Sequence, residues 1–308
     1  MHKGSRDYGI CLIFTWRIGL SMPKRLNRLI SLLENDKPAF GTFVSNGYLD
    51  EITESVDLGF DFVIIENEHA GMDFQDLRVS LQFLLDRRRI QAGEINEVYP
   101  TPLVRISPNA EEISNNQWVI KQTLDLGAFG LLIPKLETIE AAQQLVDLCR
   151  YPVENTEGDI PSEGKRGWGP KRAARYWGLS VDEYVKSAAL WPLDPQGELL
   201  IIGICESARG LRNLPDILSQ VKGIGAVLVG PGDLAASLGL AGKMNHPTVE
   251  SAVIKIGQIC KHYGVPAAIN ASSPEEVEAR LSQGFQILQN FQSGSNSALT
   301  KGLETRIP

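Results

Sequence analysis

The sequence predicts a single (β/α)8 barrel, and three observations support this fold. Eight short runs rich in Val, Ile and Leu alternate with segments of helical period. Most of these runs lack a polar face, as expected of parallel strands covered by helices on both sides. Barrels of this class also reach the length of this chain, 308 residues, as single domains. A doubly wound sheet is the alternative, but it usually has fewer strands and a glycine-rich first turn, and neither is seen.

The eight predicted strands and the helix signals between them follow in order along the chain. The strands are 40–45, 60–66, 101–107, 129–136, 199–206, 225–233, 265–271 and 285–291. Typical capping residues mark the predicted helices, with Asp73, Thr138 and Ser273 at starts and Gly59 and Gly264 at ends. An extra helix over 26–35 is expected to close the bottom of the barrel.

The domain prediction is a single (β/α)8 barrel over residues 23–308, preceded by a disordered extension over residues 1–22. The apolar stretch Gly9–Trp16 is short and is followed by Arg17, which disfavours a signal peptide. Met22 is an alternative start. No segment approaches the roughly 18 apolar residues of a membrane span.

Charge and cysteine content exclude several classes of function. The formal net charge of −7 argues against non-specific binding to nucleic acid or to anionic membranes. The four cysteines have spacings that match no zinc site and no redox motif; they are Cys11, Cys149, Cys205 and Cys260. We therefore predict reduced, mostly buried thiols in a cytoplasmic enzyme.

One predicted connection is unusually long. About fifty residues separate the fourth predicted helix from the fifth strand, and they include a basic and aromatic stretch at 164–178 and a predicted helix at 180–189. Long loops in compact domains are usually functional or lie at interfaces. We expect a lid or a subunit contact, with cations such as Arg166 attracting an anionic substrate.

Ionisable residues follow the predicted strands, where the catalytic groups of α/β barrels lie. In strand order they are Glu66, Glu68 and His69, then Arg105, Lys135, Glu206 and Asp233. A chain that ends a core strand in the tetrapeptide Glu66–His69 delivers these groups to the open face of the barrel. His69 is equally compatible with a general base and with a structural histidine.

Glu206 and Asp233 each follow a strongly apolar strand, where an isolated carboxylate is costly unless it is paired or binds a metal. Together they could hold one divalent ion, with water and substrate oxygens completing an octahedron, as suits Mg²⁺ or Mn²⁺. Each could instead cap a helix or pair with Arg209 or Lys135. The spacing does not decide between these alternatives.

Five motifs resemble, in this order, those of the HpcH/HpaI aldolase family, which are metal-dependent pyruvate aldolases related to the citrate lyase β subunit. They are NEHAGMD (67–73), LVRI (103–106), LDLGAFGLLIP (124–134), GICESARGLRN (203–213) and GPGDLAASLG (230–239). The resemblance runs from about Leu26 to the last helix. It implies a (β/α)8 barrel and a homo-oligomer, typically a hexamer.

The resemblance also implies roles for individual residues. Glu206 and Asp233 match the two ligands of a divalent ion, which would be Mg²⁺, Mn²⁺ or Co²⁺. Arg105 matches the arginine that contacts the oxygens of pyruvate, and His69 matches the catalytic base. Gly232 and Asp233 match the turn whose backbone N–H groups hold the pyruvate carboxylate.

Four further positions qualify this assignment. Glu66 stands where an aspartate usually orients the catalytic histidine, Ile204 stands where a polar residue is frequent, and Lys135 replaces an apolar residue. A longer carboxylate at position 66 changes the geometry of the bond that orients the imidazole. Asp125 matches an acidic residue near the site.

The implied activity is a divalent-metal-dependent aldolase that cleaves 4-hydroxy-2-oxo acids to pyruvate and an aldehyde through a metal-stabilised pyruvate enolate. His69 would take the proton of the C4 hydroxyl, and Arg105 would stabilise the developing charge. Three alternatives remain. They are a CoA-thioester lyase of the citramalyl type, a Schiff-base aldolase with Lys135 nucleophilic in an apolar setting, and a catalytically weak metal-binding scaffold.

Overall fold

The computed structural model of the chain describes residues 25–93, 97–98, 100–152, 164–289 and 296–306. The predicted extension over residues 1–22 and Cys11 lie outside the described residues. Cys149, Cys205 and Cys260 are buried free thiols, as predicted. None of the helices in the described ranges is long and apolar enough to cross a membrane.

Eight parallel strands form a closed barrel, which confirms the predicted fold. Their order around the ring is β1, β2, β3, β4, β6, β7, β8 and β9, and β9 pairs with β1. The bounds are β1 Ala39–Ser45, β2 Phe62–Glu66, β3 Thr101–Arg105, β4 Gly130–Ile133, β6 Leu199–Cys205, β7 Ala226–Val229, β8 Ala267–Asn270 and β9 Ile287–Gln289. The two-residue strand β5, Leu190–Trp191, lies beside β6 outside the ring.

Helices surround the barrel along most connections between strands. They are α1 Arg28–Glu34, α2 Leu49–Asp57, α3 Phe74–Phe83, α4 Arg87–Ala92, α5 Gln117–Leu126, α6 Ile139–Cys149, α7 Lys171–Trp177, α8 Val181–Ser187, α9 Ala208–Gln220, α10 Pro231–Ser237, α11 Pro247–Tyr263, α12 Pro274–Ser282 and α13 Asn296–Glu304. A 3₁₀ turn spans Ala110–Asn115. The predicted strand over 225–233 is too long, because Pro231 lacks an N–H for the sheet and begins α10 instead.

Alternation along the strands separates two apolar layers. Phe62 and Ile64 of β2 belong to the cluster that fills the barrel, whereas Val63 and Ile65 belong to the layer between strands and helices. This division follows from the period of two in a strand, which sends successive side chains to opposite faces. Both faces are buried, which explains why the strands read as continuous apolar runs.

Helix α1 closes the bottom of the barrel. Its residues Leu29, Ile30, Leu32 and Leu33 belong to the same cluster as the side chains inside the barrel. The start of the helix is fixed by Glu198, whose carboxylate accepts hydrogen bonds from the backbone N–H groups that precede α1, at 3.1 and 2.9 Å. Within the described residues, the barrel is therefore covered at the amino ends of its strands and opens at their carboxyl ends.

The long connection between α6 and β6 is anchored away from that opening. Trp177 stacks on Phe129 with ring centroids 3.9 Å apart, and its Nε1 donates to Gly127 O at 2.9 Å. Arg166 is buried and pairs with Asp125 at 2.9 Å. Since Gly127 and Phe129 precede β4, the described part of this connection lies toward the amino ends of the strands. For that part the predicted lid is wrong, and Arg166 does not serve an anionic substrate.

Asp61 joins three parts of the fold at the bottom of the barrel. Its side chain is 1% exposed and pairs with Arg28 of α1 and with Arg306 after α13. It also accepts a hydrogen bond from the backbone N–H of Phe40 at 2.9 Å. The carboxylate precedes β2 and therefore fixes α1 and the C-terminal segment to the strands.

We expect Asp61→Asn to destabilise the fold by about 2–4 kcal/mol, because it removes the charge that two arginines share in a buried place. The free energy of unfolding in urea measures this effect. Glu278→Ala is the matched control, since Glu278 pairs with Lys301 on the surface and surface pairs contribute little. Equal losses in the two variants would contradict the anchoring role of Asp61.

Candidate active site

A layer of polar side chains closes the apolar interior at the carboxyl ends of the strands. Ile64, Leu103, Ile204, Ala268 and Ile287 lie inside the barrel. The residue two positions after each of them is polar and lines one cavity of about 450 Å³. With Ser45 of β1, this layer comprises Ser45, Glu66, Arg105, Glu206, Asn270 and Gln289. The pleat of the strands therefore places the site at the mouth of the barrel.

Three members of this layer were missed from the sequence because they do not ionise. Gln289 is buried, and its Nε2 donates to Asn270 Oδ1 at 3.0 Å across β8 and β9. Ser45 is the register partner of Glu66 across β1 and β2. The signal that could have identified them is strand alternation, counted from apolar residues assigned to the interior.

Glu66 organises the turn after β2. Its Oε1 accepts hydrogen bonds from the backbone N–H groups of Glu68 at 2.7 Å and of His69 at 2.9 Å. Its Oε2 pairs with Arg105, which is its register partner on β3. The predicted orienting role of Glu66 toward the imidazole stays a prediction, since the contacts of this carboxylate are with the turn backbone and with Arg105.

Arg105 is held by two carboxylates and an aromatic ring. Its Nη1 lies 3.1 Å from Glu68 Oε2, its Nε and Nη2 approach Glu66, and its guanidinium carbon lies 4.9 Å from the centre of the Phe43 ring. A guanidinium has five N–H groups in a rigid fork. Its Nε–H donates to Glu66 and its two terminal nitrogens lie beside the carboxylates, so the remaining N–H groups can meet a ligand in the cavity.

His69 lies at the rim of the mouth with its side chain 71% exposed. Its Nε2 is 3.6 Å from Glu68 Oε2, so the carboxylate that faces the imidazole is Glu68. Burial raises the pKa of Glu68. The positive charge of Arg105 and the nearby His69 lower this pKa, and the negative charge of Asp233 raises it further. This coupling places the His69 turn within electrostatic reach of Asp233.

Glu206 is the most buried carboxylate of the mouth, with 8% of its surface exposed. The backbone N–H of Lys135 donates to its Oε1 at 2.8 Å. Burial raises the pKa of Glu206 to about 7, and the negative charges of Asp233 and Glu68 add to this, whereas the hydrogen bond from Lys135 opposes it. The carboxylate is therefore costly to ionise unless a cation is bound nearby.

Asp233 and Gly232 lie in the first turn of α10 and line the same cavity as Glu206. The first N–H groups of a helix have no partner within the helix, so those of Gly232 and Asp233 can bind a ligand. Gly230, just before this turn, has no room for a side chain. A Cβ there would lie 2.7 Å from Glu206 Oε2 and 2.8 Å from Glu206 Cβ.

The residues present fit a divalent ion that keeps most of its water. Among the described residues no group of three or more His, Cys, Asp and Glu side chains has the arrangement of a metal site. Two carboxylates, Glu206 and Asp233, line two adjoining cavities in common. Such a donor set suits Mg²⁺ or Mn²⁺, which bind through one or two carboxylates, water and substrate. The raised pKa of Glu206 is the cost that a bound cation would offset.

Three other predicted residues have different surroundings from those expected. Lys135 is exposed in a left-handed conformation with φ of 52°, which does not provide the apolar setting that a Schiff-base lysine requires. Asp125 lies at the end of α5, pairs with Arg166 and is absent from the linings of both cavities at the mouth. Ile204 is buried and forms part of the cavity floor.

Comparisons with known proteins point to one family. The family model for HpcH/HpaI aldolase/citrate lyase matches residues 40–298. A hydroxypyruvate/pyruvate aldolase of Roseobacter denitrificans is 32% identical over 269 residues, which cover 87% of this chain and 91% of that protein. A 2-keto-3-deoxy-L-rhamnonate aldolase of Klebsiella pneumoniae is 33% identical over 240 residues, covering 78% and 76%. A solved HpcH/HpaI aldolase/citrate lyase family protein of Burkholderia cenocepacia has a TM-score of 0.70 and 28% identity, covering 91% and 96%.

We expect Glu206→Gln to stabilise the metal-free protein above about pH 7 and to leave its stability almost unchanged near pH 4, where the carboxyl group is protonated in both the folded and the unfolded state. Between the ordinary carboxyl pKa and about 7, folded Glu206 holds a proton that the unfolded chain has released. The free energy of unfolding therefore falls as pH rises through this window. Urea unfolding in EDTA should show a gain of about 1–3 kcal/mol at pH 8. Glu54→Gln, on an exposed face of α2, is the control, and an equal difference at both pH values would refute the assignment.

Gly230→Ala should abolish the thermal stabilisation that Mn²⁺ gives to the wild-type protein, because the new methyl group displaces the Glu206 carboxylate. Melting temperature with and without Mn²⁺ measures this effect, since a ligand bound to the folded state raises it. Gly232→Ala is the matched control, because the nearest atom to its Cβ would be Met244 Sδ at 3.8 Å. A normal response to Mn²⁺ in Gly230→Ala would contradict the role of Glu206.

Proposed function

The chain belongs to the HpcH/HpaI aldolase/citrate lyase family, and we propose that it is a divalent-metal-dependent aldolase that cleaves 4-hydroxy-2-oxo acids to pyruvate and an aldehyde. The reverse addition follows by microscopic reversibility. One observation carries the proposal: a single cavity at the mouth is lined by Arg105, Glu206, Gly232 and Asp233, and the His69 turn is joined to it through Glu66 and Glu68.

Glu206 and Asp233 would hold the ion, which would supply a Lewis acid for the 2-oxo group of the substrate. The buried position of Glu206 and its proximity to the charge of Asp233 support this pairing. The predicted choice among Mg²⁺, Mn²⁺ and Co²⁺ remains open, since two carboxylates suit any hard divalent ion that keeps its water.

Arg105 binds and orients the 2-oxo acid. Glu66 and Glu68 hold its guanidinium in place, so its remaining N–H groups have a defined direction before the substrate arrives. Such preorganised donors stabilise charge that develops on the oxo oxygen. The N–H groups of Gly232 and Asp233 would hold the carboxylate of the substrate. Ile204 and Leu228 form an apolar floor beneath it.

His69 acts as the base in this proposal. It takes the proton of the C4 hydroxyl, the C3–C4 bond breaks, and the aldehyde leaves as the electron pair moves toward the 2-oxo group. A proton then returns to C3 and completes pyruvate. Glu68, whose carboxylate faces the imidazole, would orient His69, and Glu66 would position both residues through the backbone of the turn.

The family also contains lyases, and the alternative activities are separate outcomes of one assay. A CoA-thioester lyase requires a CoA substrate, and a Schiff-base aldolase keeps its activity in EDTA. A catalytically weak scaffold binds Mn²⁺ but does not exchange pyruvate protons. The cytoplasmic location and the hexamer predicted from the sequence stay predictions.

We expect the purified protein to add pyruvate to aldehydes only with a divalent ion, and to lose this activity in EDTA and regain it with Mg²⁺, Mn²⁺ or Co²⁺. Deuterium exchange at the pyruvate methyl group, followed by NMR, tests proton removal without an aldehyde. His69→Gln should lower kcat/KM for retro-aldol cleavage about 100-fold or more while the Mn²⁺-dependent rise in melting temperature persists. Full activity in EDTA would overturn the metal requirement.

A further inference from the structure

A second cavity of about 540 Å³ lies on the other side of the two proposed metal ligands. Glu206 and Asp233 line it as well as the first cavity, so they form a wall common to both. Ligand sites of small molecules have volumes in this range. Its other polar lining comes from the segments after β3, β4, β6 and β7, and includes Asn109, Lys135, Glu137, Ser207 and Ser237.

The two other acidic side chains of this cavity already have partners within the protein. Arg209 Nη1 lies 2.7 Å from Glu111 Oε1 and 3.3 Å from Glu137 Oε2. Glu137 also accepts a hydrogen bond from Ser207 Oγ at 2.5 Å. Arg209 therefore offsets part of their negative charge.

Lys135 is the lining cation that has no such partner. Among the described residues, no carboxylate oxygen forms an ion pair within 4.0 Å of its Nζ. Its backbone is fixed, because its N–H donates to Glu206 Oε1 at 2.8 Å. Its φ of 52° is a left-handed conformation that a lysine rarely adopts. The hydrogen bond to Glu206 thus fixes the backbone of Lys135 at the edge of the second cavity.

We propose that the second cavity binds the aldehyde partner and that Lys135 selects aldehydes that carry a carboxylate; this inference rests on the proposed function. In the proposed function pyruvate occupies the first cavity, which Arg105, Gly232 and Asp233 line. The aldehyde must meet the pyruvate methyl carbon at the wall between the cavities. Its far end then lies in the second cavity, where the Lys135 ammonium can pair with an anionic group.

The test compares a charged aldehyde with a neutral one of similar length, 4-oxobutanoate and its methyl ester. The wild-type enzyme should use the acid with the higher kcat/KM in addition to pyruvate. Lys135→Gln should lower the ratio of the two kcat/KM values about tenfold, because it removes one charge-assisted hydrogen bond. Lys135→Glu should lower the ratio further, and Lys135→Arg should retain most of it.

Lys222→Gln is the control, since Lys222 is exposed near the amino end of β7, on the opposite face of the barrel, and its loss changes the net charge equally. An unchanged ratio in both Lys135→Gln and Lys135→Glu, or equal use of the acid and the ester by the wild type, would overturn the assignment of Lys135. Pyruvate methyl exchange separates this failure from that of the proposed function. If the wild type exchanges these protons, the proposed aldolase activity stands even when the assignment of Lys135 fails. If it does not exchange them, the proposed aldolase activity is refuted.

Discussion

The architecture of the mouth depends on one buried carboxylate. Glu206 follows an apolar strand, and the barrel places it where solvent cannot offset its charge. Three features surround Glu206. The backbone N–H of Lys135 donates to its carboxylate, and Gly230 leaves room for it because it has no side chain. The negative charge of nearby Asp233 raises the pKa of Glu206. The cost of ionising Glu206 beside Asp233 is the observation that supports the proposal of a cation bound between the two carboxylates.

The same strand period that builds the core also builds the site. Side chains two residues apart on a strand point to the same face. The inward-pointing side chains are apolar through the barrel interior, and the last one on most strands is polar and lines the cavity at the mouth. The sequence was sufficient to predict the barrel and the ionisable members of this layer. It was insufficient for Asn270 and Gln289, because amides give no signal unless the register of β8 and β9 is known.

Elsewhere the prediction from sequence was limited by contacts between residues that lie far apart in the sequence. The motif predicts that Glu66 orients His69, and the contacts that the structure adds are those of its carboxylate with the backbone N–H of His69 and the guanidinium of Arg105. The basic stretch at 164–178 suggested a lid, and the buried pair of Arg166 with Asp125 shows why composition misled. A buried arginine cannot be distinguished from an exposed one until the partner that neutralises it is known.

The wall between the two cavities also explains how one residue can link binding of the ion to choice of substrate. The backbone N–H of Lys135 donates to Glu206, and its side chain lines the second cavity. Its left-handed backbone would be released if Glu206 moved, so the hydrogen bond maintains both the ligand geometry and the position of the ammonium group. A change to another long, unbranched side chain at position 135 would alter the group presented to the second cavity. In this proposal, substrate preference can change there while Glu206 and Asp233, the proposed metal ligands, stay in place.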